Sequence, residues 1–253
     1  MKLVRFRHGN RIATGSVERD FVRPLQGTFF EGPVPTGEEV PLSAVRLLAP
    51  VIPSKIVAVG RNYAEHAEEM GGDVPEEPVI FLKPSTAVIG PGDPIPYPRG
   101  TGRVDHEAEL GVVVGRLARH VRLEEAGGYI LGYLCGNDVT ARDLQRKDGQ
   151  WTRSKSFDGF CPLGPWVETD LDPGDLAVEC RVNGETRQAA RTSRLTFGPG
   201  ELIEFISAVM TLLPGDVILT GTPAGVGPMA VGDRVEIDIE GIGVLANEVV
   251  PGG

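Results

Sequence analysis

Short apolar runs separated by glycine, proline and aspartate recur along the chain, and this pattern predicts a protein built mainly from strands. The runs are rich in valine and isoleucine, which suit a pleated backbone. They are "SKIVAVG", "PVIFLKPSTAVIG", "AELGVVVGRLA", "YILGYLCGNDVT", "DLAVECRVNGETRQ", "DVILTG" and "DRVEIDIEGIGVLANEVV". Within them, "VNGE" predicts a two-residue hairpin turn, and "EIDIEGIG" alternates as a half-exposed strand does.

Two segments have the features of helices. "NYAEHAEEM" predicts a short helix, with Asn62 as its cap and Gly71 and Gly72 as its stop. "GELIEFISAVMTLLPGD" predicts a longer helix that stops before Pro214. Its apolar residues fall at helical spacing and are Leu202, Ile203, Phe205, Ile206, Val209, Met210, Leu212 and Leu213.

The first 48 residues differ from the rest of the chain in having only short strands and turns, including a hairpin around Gly9 and Asn10. The length of 253 residues fits one large β-rich domain, or a main domain with a small appendage. We favour the second organisation, with a small β-rich domain at 1–49 and a main domain at 50–253. The predicted fold class is α+β, mainly β.

The amino-acid composition limits which partners the protein is expected to bind and where in the cell it is expected to be. A net charge of −10, 6% aromatic residues and no basic run argue against nucleic acid. The sequence shows neither a signal peptide nor a membrane span, so we expect a cytoplasmic protein without a membrane partner. Three widely spaced cysteines without a CxxC pair favour neither a disulfide framework nor a thiolate zinc site.

The segment "RVDHEAELGVVVG" places Glu107 and Glu109 two positions apart, on one side of a strand. Asp138 ends the next apolar run, so the three carboxylates converge if the two runs are neighbours in a sheet. Three carboxylates suit a hard divalent cation, Mg²⁺ first and then Mn²⁺ or Ca²⁺. His106 lies on the opposite face and is not a predicted ligand. The alternative is the solvated face of an edge strand, although "LGVVVG" indicates burial on both faces.

Two further pairs of residues are candidates for the active site, and each pair also has a purely structural interpretation. His66 and Glu69 are three residues apart and so share a helix face. They are either a general base and the carboxylate that orients it, or an ordinary pair on the surface. Lys83 and Lys155 are set among apolar residues. Each is either a buried cation that pairs with an anion, or a side chain whose aliphatic part is buried while its ammonium group reaches solvent.

Arg142 and Gln145 follow Asp138 by four and seven residues, so a helix would bring them to one side. The alternative is a salt bridge from Arg142 to Asp143 or Asp138.

The glycine-rich segment "GTPAGVG" does not fit a dinucleotide or phosphate loop. "PMAVGD" follows where a helix would be required, and the lysine of a phosphate loop is absent. Two interpretations remain equally open. The segment presents backbone N–H groups and Thr222 to a substrate carboxylate, or it is a structural turn.

Taken together, these motifs resemble the fumarylacetoacetate hydrolase superfamily from about residue 50 to 250, in order and in spacing. They are "VGRNYAEHAEEM", "FLKPSTAVIG", "DHEAELGVVVG", "GNDVTARDLQ", "QWTRSKSFDGFCPLGPW" and "VILTGTPAGVG". The first 50 residues resemble the N-terminal segment of the smaller bacterial members. The resemblance implies a mixed β-roll or sandwich, usually dimeric, with Mg²⁺ or Mn²⁺ held by three carboxylates. Gly159 departs from the threonine that is common in close relatives.

The resemblance also implies roles for individual residues. The metal ligands are Glu107, Glu109 and Asp138. The catalytic residues are Lys155 and the lid-helix pair His66 and Glu69, which orients a water. The residues assigned to the substrate are Arg61, Tyr63, Lys83, Arg142, Gln145 and Thr222.

The implied chemistry is metal-dependent cleavage of a C–C bond in a small anionic 2-oxo acid through a stabilised enolate. Acylpyruvate hydrolysis and oxaloacetate-type decarboxylation both fit. The alternatives are a 2-hydroxyhepta-2,4-diene-1,7-dioate isomerase or decarboxylase of aromatic catabolism and, from another class, a non-catalytic module stabilised by metal. We expect a homodimer.

Overall fold

The chain folds mainly into β-strands, and the computed structural model describes residues 1–69 and 71–253. The strands of these residues form sheets of thirteen, five and three strands. The predicted α+β, mainly β class is therefore confirmed.

The N-terminal strands form a meander. They are β1 (Lys2–His8), β2 (Arg11–Glu18), β3 (Phe21–Gln26), β4 (Val34–Pro35), β5 (Val40–Pro41) and β6 (Arg46–Leu48). β1 and β2 form the predicted hairpin, and Gly9 in its turn has a φ of +57° that suits glycine.

The remaining strands supply the rest of the large sheet and the two smaller sheets. They are β7 (Lys55–Gly60), β8 (Val79–Pro84), β9 (Val88–Ile89), β10 (Ile95–Tyr97), β11 (Val104–His106), β12 (Ala108–Val114), β13 (Ile130–Asn137), β14 (Thr140–Ala141), β15 (Cys161–Glu168), β16 (Ala177–Val182), β17 (Glu185–Arg191), β18 (Val217–Leu219), β19 (Gly227–Met229), β20 (Arg234–Ile239) and β21 (Gly243–Pro251).

The helices are short. They are α1 (Ala64–Glu69), α2 (Arg142–Asp148), α3 (Thr152–Lys155) and α4 (Pro199–Val209). Short 3-10 helices lie at Leu42–Ala44, Ser85–Ala87, Leu123–Tyr129, Pro173–Asp175 and Thr192–Arg194. Among the described residues, no helix combines the length and the apolar character needed to cross a bilayer.

The centre of the large sheet positions the site. β12 lies between β13 and β18, and every one of its residues is buried, as the two-sided apolar pattern predicts. Its Leu110 and Val112 belong to one core cluster with Ile237 and Leu245 of the five-stranded sheet. Each fully buried side chain of this kind contributes roughly 1.5–3 kcal/mol, so the end of β12 is held rigidly between two sheets.

The N-terminal strands continue the large sheet, because β1 pairs with β15. Leu3, Leu25 and Phe29 share a core cluster with Ile56 and Leu134 of the main segment. The division into domains at residue 49 stays a prediction.

Two predicted helix boundaries are wrong. α4 ends at Val209, because Met210 is extended and Leu212 exchanges backbone hydrogen bonds of 2.9 Å with Ala118. The sheet-like pairing with Ala118 therefore overrides the helical spacing of the last apolar residues.

Asn62 is not the cap of α1. Its buried side-chain amide donates to the carbonyl oxygens of Phe197 and Thr220, and thus links two distant segments. The carbonyl of Tyr63 accepts the first helical bond, from Ala67. At the other end, the N–H groups of Gly71 and Gly72 bond to carbonyls of α1, in agreement with the predicted stop. Met70, which the predicted helix included, lies outside the described residues.

Candidate active site

Three carboxylates converge at the end of the central strands. Glu109 on β12 pairs with Gly136 on β13, and Asp138 follows β13 directly. Glu107, Glu109 and Asp138 each offer an oxygen within 4.8 Å of the others, and none is more than 4% exposed. The alternative of a solvated strand face is therefore wrong.

Two lysines neutralise part of this cluster. Nζ of Lys155 donates to Glu107 at 2.7 Å and to Asp138 at 2.6 Å, and Nζ of Lys83 donates to Asp138. Both lysines are buried, so the alternative in which their ammonium groups reach solvent is wrong. α3 positions Lys155 between the two carboxylates.

Arg142 supplies the third buried cation. Its guanidinium donates to Glu107 at 2.6 Å and to Asp105 at 2.9 Å, so the alternative pairing with Asp143 or Asp138 is wrong. α2 begins at Arg142 and excludes Asp138, contrary to the helix proposed from the spacing. Arg142 and Gln145 still share a face of α2 and are joined by a bond of 2.7 Å.

The three carboxylates have different proton affinities. Burial raises the pKa of Glu107, but Lys155 and Arg142 outweigh it and hold that pKa far below its usual value. Burial and then the charges of Asp138 and Glu107 raise the pKa of Glu109 well above its usual value. Glu109 accepts a hydrogen bond of 2.7 Å from the N–H of Gly221 but joins none of the ion pairs formed by described residues.

The cluster fits a divalent cation. It offers carboxylate oxygens from three residues, the ligand type that Mg²⁺, Mn²⁺ and Ca²⁺ prefer. Glu109, which pairs with no cation among the described residues, would supply a negative charge when a metal ion replaces its proton. His106 faces away, as predicted. Its Nδ1 bonds to Gln188 at 3.0 Å, and burial lowers its pKa, so the ring is neutral.

The predicted pair on α1 is formed. Nδ1 of His66 lies 3.0 Å from Oε2 of Glu69, and the other oxygen of Glu69 accepts from the N–H of Gly225 at 3.1 Å. An ionised carboxylate only accepts hydrogen bonds, so Nδ1 carries a proton, and in the neutral ring Nε2 keeps a free electron pair. His66 lines the cleft, which makes Nε2 available as a base.

The segment Gly221–Gly227 is a structural turn, one of its two predicted roles, and contact of Thr222 with a substrate stays a prediction. The N–H groups of Gly221 and Gly225 bind the carboxylates of Glu109 and Glu69, so the turn is structural. Thr222 faces the cleft, and its hydroxyl accepts a bond of 2.7 Å from Gln188.

These groups surround one cleft of about 170 Å³, below the roughly 300–1,000 Å³ of pockets for drug-sized ligands. Of the predicted residues, those that line it are Arg61, His66, Glu107, Glu109, Asp138, Arg142, Gln145, Lys155 and Thr222. Glu69 and Lys83 do not line the cleft, but they bond to residues that do: Glu69 to His66, and Lys83 to Asp138. Tyr63 is buried beneath it, where burial and then Glu109 raise the pKa of its hydroxyl.

Sequence reasoning missed part of the cleft wall. Val59, Gly60, Phe81, Arg146 and Trp151 also line it. Phe81 and Trp151 pack edge to face with ring centres 5.1 Å apart, beside the ammonium of Lys155. Single residues in a strand or loop carry no periodic signal of a site. Val59, Gly60, Phe81 and Trp151 lie within the motifs quoted above and Arg146 directly follows one, and this position was the only pointer to them.

Comparison with known families agrees with this geometry. Residues 55–250 match the model described as fumarylacetoacetate (FAA) hydrolase, C-terminal, and residues 1–50 match the model described as Rv2993c-like, N-terminal. The chain belongs to the fumarylacetoacetate hydrolase family. The family resemblance seen in the sequence motifs is thereby confirmed.

Members of the fumarylacetoacetate hydrolase family with solved structures share the whole fold. A 5-carboxymethyl-2-hydroxymuconate delta-isomerase from Mycobacterium smegmatis is 52% identical, with a TM-score of 0.94 over 99% of this chain and 100% of that one. A maleylpyruvate hydrolase from Sphingobium sp. SYK-6, solved with manganese(II) and pyruvate, is 33% identical, with a TM-score of 0.84 over the full length of both.

Among relatives known from sequence, the mitochondrial oxaloacetate tautomerase Fahd2a of Rattus norvegicus is 43% identical. The match covers 83% of this chain and 71% of the relative. The named homologues in the fumarylacetoacetate hydrolase family are thus enzymes: an isomerase, a hydrolase and a tautomerase.

Proposed function

We propose that the protein cleaves a C–C bond in a small anionic 2-oxo acid with the help of Mg²⁺ or Mn²⁺, with Ca²⁺ as a third candidate. The reaction is acylpyruvate hydrolysis or oxaloacetate-type decarboxylation. The observation that carries the proposal is the cleft itself, in which a buried three-carboxylate cluster and a histidine oriented by Glu69 line one small cavity.

Glu107, Glu109 and Asp138 are the residues that would hold the cation. When bound, it would supply positive charge to the carboxylate and keto oxygens of the substrate and stabilise the electrons left when the bond at C3 breaks. Lys155 and Lys83 hold the carboxylates in place through their ion pairs, and Phe81 and Trp151 form an apolar part of the cleft wall beside Lys155.

His66 supplies the proton transfer that hydrolysis needs. Nε2 takes a proton from water, the water oxygen attacks the distal carbonyl carbon, and the bond from that carbon to C3 breaks with its electron pair on C3. Protonation of C3 then gives pyruvate, and the acyl group leaves as a carboxylic acid. Oxaloacetate decarboxylation consumes one proton, releases CO₂ and needs no attacking water.

Two arginines favour a substrate with a second carboxylate. Arg61 and Arg146 line the cleft and are exposed, and neither takes part in an ion pair formed by described residues. Their charge would attract an anion locally on a protein whose net charge is −10. The compounds in the names of the three relatives, a carboxymethylhydroxymuconate, maleylpyruvate and oxaloacetate, each carry at least two carboxylates.

The second candidate is an isomerase or tautomerase acting on a 2-hydroxy-dienedioate or on oxaloacetate. It is supported by the names of the isomerase that is 52% identical and of the tautomerase that is 43% identical. The same site serves it, because His66 would move a proton from one atom of the substrate to another without consuming water.

A substrate panel tests the proposal. Protein stripped with EDTA is assayed with oxaloacetate, acetylpyruvate, fumarylpyruvate and 2-hydroxyhepta-2,4-diene-1,7-dioate, with and without Mg²⁺, Mn²⁺ or Ca²⁺. We expect pyruvate to form only when metal is present. Formation of an isomer without pyruvate would favour the second candidate. Turnover that is unaffected by EDTA would refute both.

The variant His66→Asn separates hydrolysis from decarboxylation. We expect acylpyruvate hydrolysis to fall by roughly 10²–10⁴-fold, the usual contribution of a general base. Oxaloacetate decarboxylation should change far less, because it needs no activated water. Steady-state kinetics on both substrates measure the difference, and an equal loss on both would contradict this role for His66.

The variant Glu107→Gln tests the alternative of a non-catalytic module. An enzyme should keep its fold, as seen by circular dichroism, and lose turnover. A metal-stabilised module should lose its fold together with metal binding. Glu248→Gln, an exposed carboxylate on β21, is the matched control.

A further inference from the structure

Gln188 is a buried side chain that the proposed chemistry leaves without a role. It lies on β17, is 1% exposed and does not line the cleft. All of its hydrogen-bonding capacity is nevertheless used by the two residues that flank Glu107 and by the segment that carries Thr222. Oε1 accepts from the N–H of Ala108 and from Nδ1 of His106, both at 3.0 Å, and Nε2 donates to Thr222 and Pro223.

Two partners fix the orientation of this amide, because one can only donate a hydrogen bond and the other can only accept one. The backbone N–H of Ala108 can only donate, so the atom facing it is the amide oxygen. The carbonyl of Pro223, 2.8 Å away, can only accept, so the atom facing it is the amide nitrogen. The two assignments agree and exclude a flipped amide.

The fixed amide determines what the hydroxyl of Thr222 does. Its Oγ1 receives one of the two hydrogens of Gln188 Nε2 at 2.7 Å, so this hydroxyl is an acceptor toward the strand behind it. Its own proton remains available, and Thr222 lines the cleft beside the carboxylate cluster. Among the described residues, Thr222 donates its hydroxyl proton to no protein atom.

We propose that Gln188 is a positioning residue, which fixes the hydroxyl of Thr222 as a hydrogen-bond donor into the cleft, toward an anionic oxygen of the substrate. This inference rests on the proposed function, because it takes a 2-oxo acid as the occupant. A threonine hydroxyl that is free to rotate can turn either its proton or its lone pairs to a ligand. With Gln188 behind it, the hydroxyl presents a proton and so favours an acceptor.

Two substitutions at position 188 test the direction of this bond. Gln188→Glu keeps an oxygen for Ala108 and His106 but replaces the donor to Thr222 by a second acceptor, which draws the hydroxyl proton away from the cleft. Gln188→Met has similar size and removes the donor. Gln26→Met, on an exposed position of β3, is the control for the glutamine-to-methionine change.

The readout is binding of pyruvate to protein loaded with Mn²⁺, followed by the change in tryptophan fluorescence. Trp151 lies in the cleft wall, and the other tryptophan, Trp166, does not line the cleft. We expect both variants to bind pyruvate roughly 10- to 100-fold more weakly, the effect of losing a hydrogen bond to a charged group. Mn²⁺ affinity and melting temperature, measured on the same samples, show whether the metal site and the fold are intact. Equal pyruvate affinity in the wild type and in a folded variant would overturn the inference.

A double-mutant cycle distinguishes positioning from a general structural effect. If Gln188 acts through Thr222, the pair Gln188→Met and Thr222→Val should bind pyruvate no more weakly than Thr222→Val alone. Additive losses would mean that Gln188 supports the site by another route, and would overturn the inference.

A structure of the wild-type protein with Mn²⁺ and pyruvate decides the matter if neither variant folds. Oγ1 of Thr222 should lie within hydrogen-bond distance of a pyruvate oxygen while Gln188 still donates to it. A pyruvate without contact to Thr222 would overturn the inference alone. Wild-type protein that neither binds pyruvate nor turns over any substrate would count against the proposed function instead.

Discussion

At the scale of single residues, the cleft is governed by a charge imbalance. Among the described residues, four buried carboxylates, Asp105, Glu107, Glu109 and Asp138, face three buried cations, Lys83, Lys155 and Arg142. Asp105 also pairs with Arg103, but that side chain is exposed and its charge is screened by solvent, so the imbalance is one of the buried groups. In metal-free protein the raised pKa of Glu109 lets a proton offset the excess charge. A divalent cation in place of that proton leaves one positive charge in excess, which suits an anionic substrate.

The imbalance predicts a pH dependence of stability that depends on Glu109. A carboxyl group with a raised pKa in the folded state contributes stability that is present below its unfolded value of 4.5 and is lost as the pH rises toward the folded value. In EDTA, the unfolding free energy of the wild type relative to Glu109→Gln should therefore fall above pH 4.5, by about 1.4 kcal/mol per pH unit.

Urea unfolding of both proteins across a pH series measures this difference. Glu107 contributes with the opposite sign, because its pKa is lowered. Above pH 4.5 it is ionised in both folded proteins, so its contribution cancels in this comparison. Glu248→Gln should follow the wild type. Parallel curves for the wild type and Glu109→Gln would show that Glu109 is ionised in the folded metal-free protein.

At the scale of elements, the segment Gly221–Gly227 joins the parts of the site. It binds Glu109 at one end and Glu69 at the other, and between them it presents Thr222. Gly225 allows it to lie against β17, because a Cβ there would come within 2.3 Å of the carbonyl oxygen of Arg187.

The variant Gly225→Ala should therefore damage the site. Gly225 has a φ of +95°, where a Cβ costs about 1–2 kcal/mol, and the clash with β17 must also be relieved by moving the segment. We expect a loss of pyruvate binding and of turnover together with a lower melting temperature.

Gly184→Ala is the matched control for Gly225→Ala. Gly184 has a φ of +81° in the hairpin between β16 and β17, and a Cβ there would meet no atom within 4 Å. Gly184→Ala should lower the melting temperature, because it carries a similar cost for a Cβ at positive φ, and it should leave turnover unchanged. An active Gly225→Ala protein would show that the close approach to β17 is not needed for the site.

Elements encoded by local patterns could be predicted from the sequence, and contacts between distant segments could not. The apolar run "LGVVVG" gave β12 and its burial, and the i, i+3 spacing gave the bond between His66 and Glu69. The end of α4 and the bonds of Asn62 depend on partners far away in the chain. Gln188 was missed for the same reason, since a glutamine near a hairpin has no local signature.

At the scale of the whole molecule, the N-terminal strands contribute to the main core. β1 extends the large sheet at β15, and Leu3, Leu25 and Phe29 pack with residues of the main segment. Burial of three such side chains is worth roughly 5–9 kcal/mol, which is comparable with the whole unfolding free energy of a typical domain.

Removal of residues 1–49 should therefore leave a fragment that does not fold stably. The edge of β15 and the apolar side chains beneath the meander would be exposed, and we expect aggregation or a broad, low-temperature melt. Expression of residues 50–253 followed by calorimetry checks this outcome, with the full chain as the reference. A cooperative melt near that of the full chain would instead establish 1–49 as a separate domain.

The exposed position of Arg61 and Arg146 at the cleft has a consequence for how the substrate preference of such enzymes changes in evolution. Arg61 and Arg146 line the cleft and are exposed, whereas the proposed metal ligands and Lys155 are buried. Exchanges at the entrance therefore leave the buried ion pairs undisturbed. We expect new substrate preferences to evolve in this architecture through a few mutations at the rim, while the inherited chemistry beneath is retained.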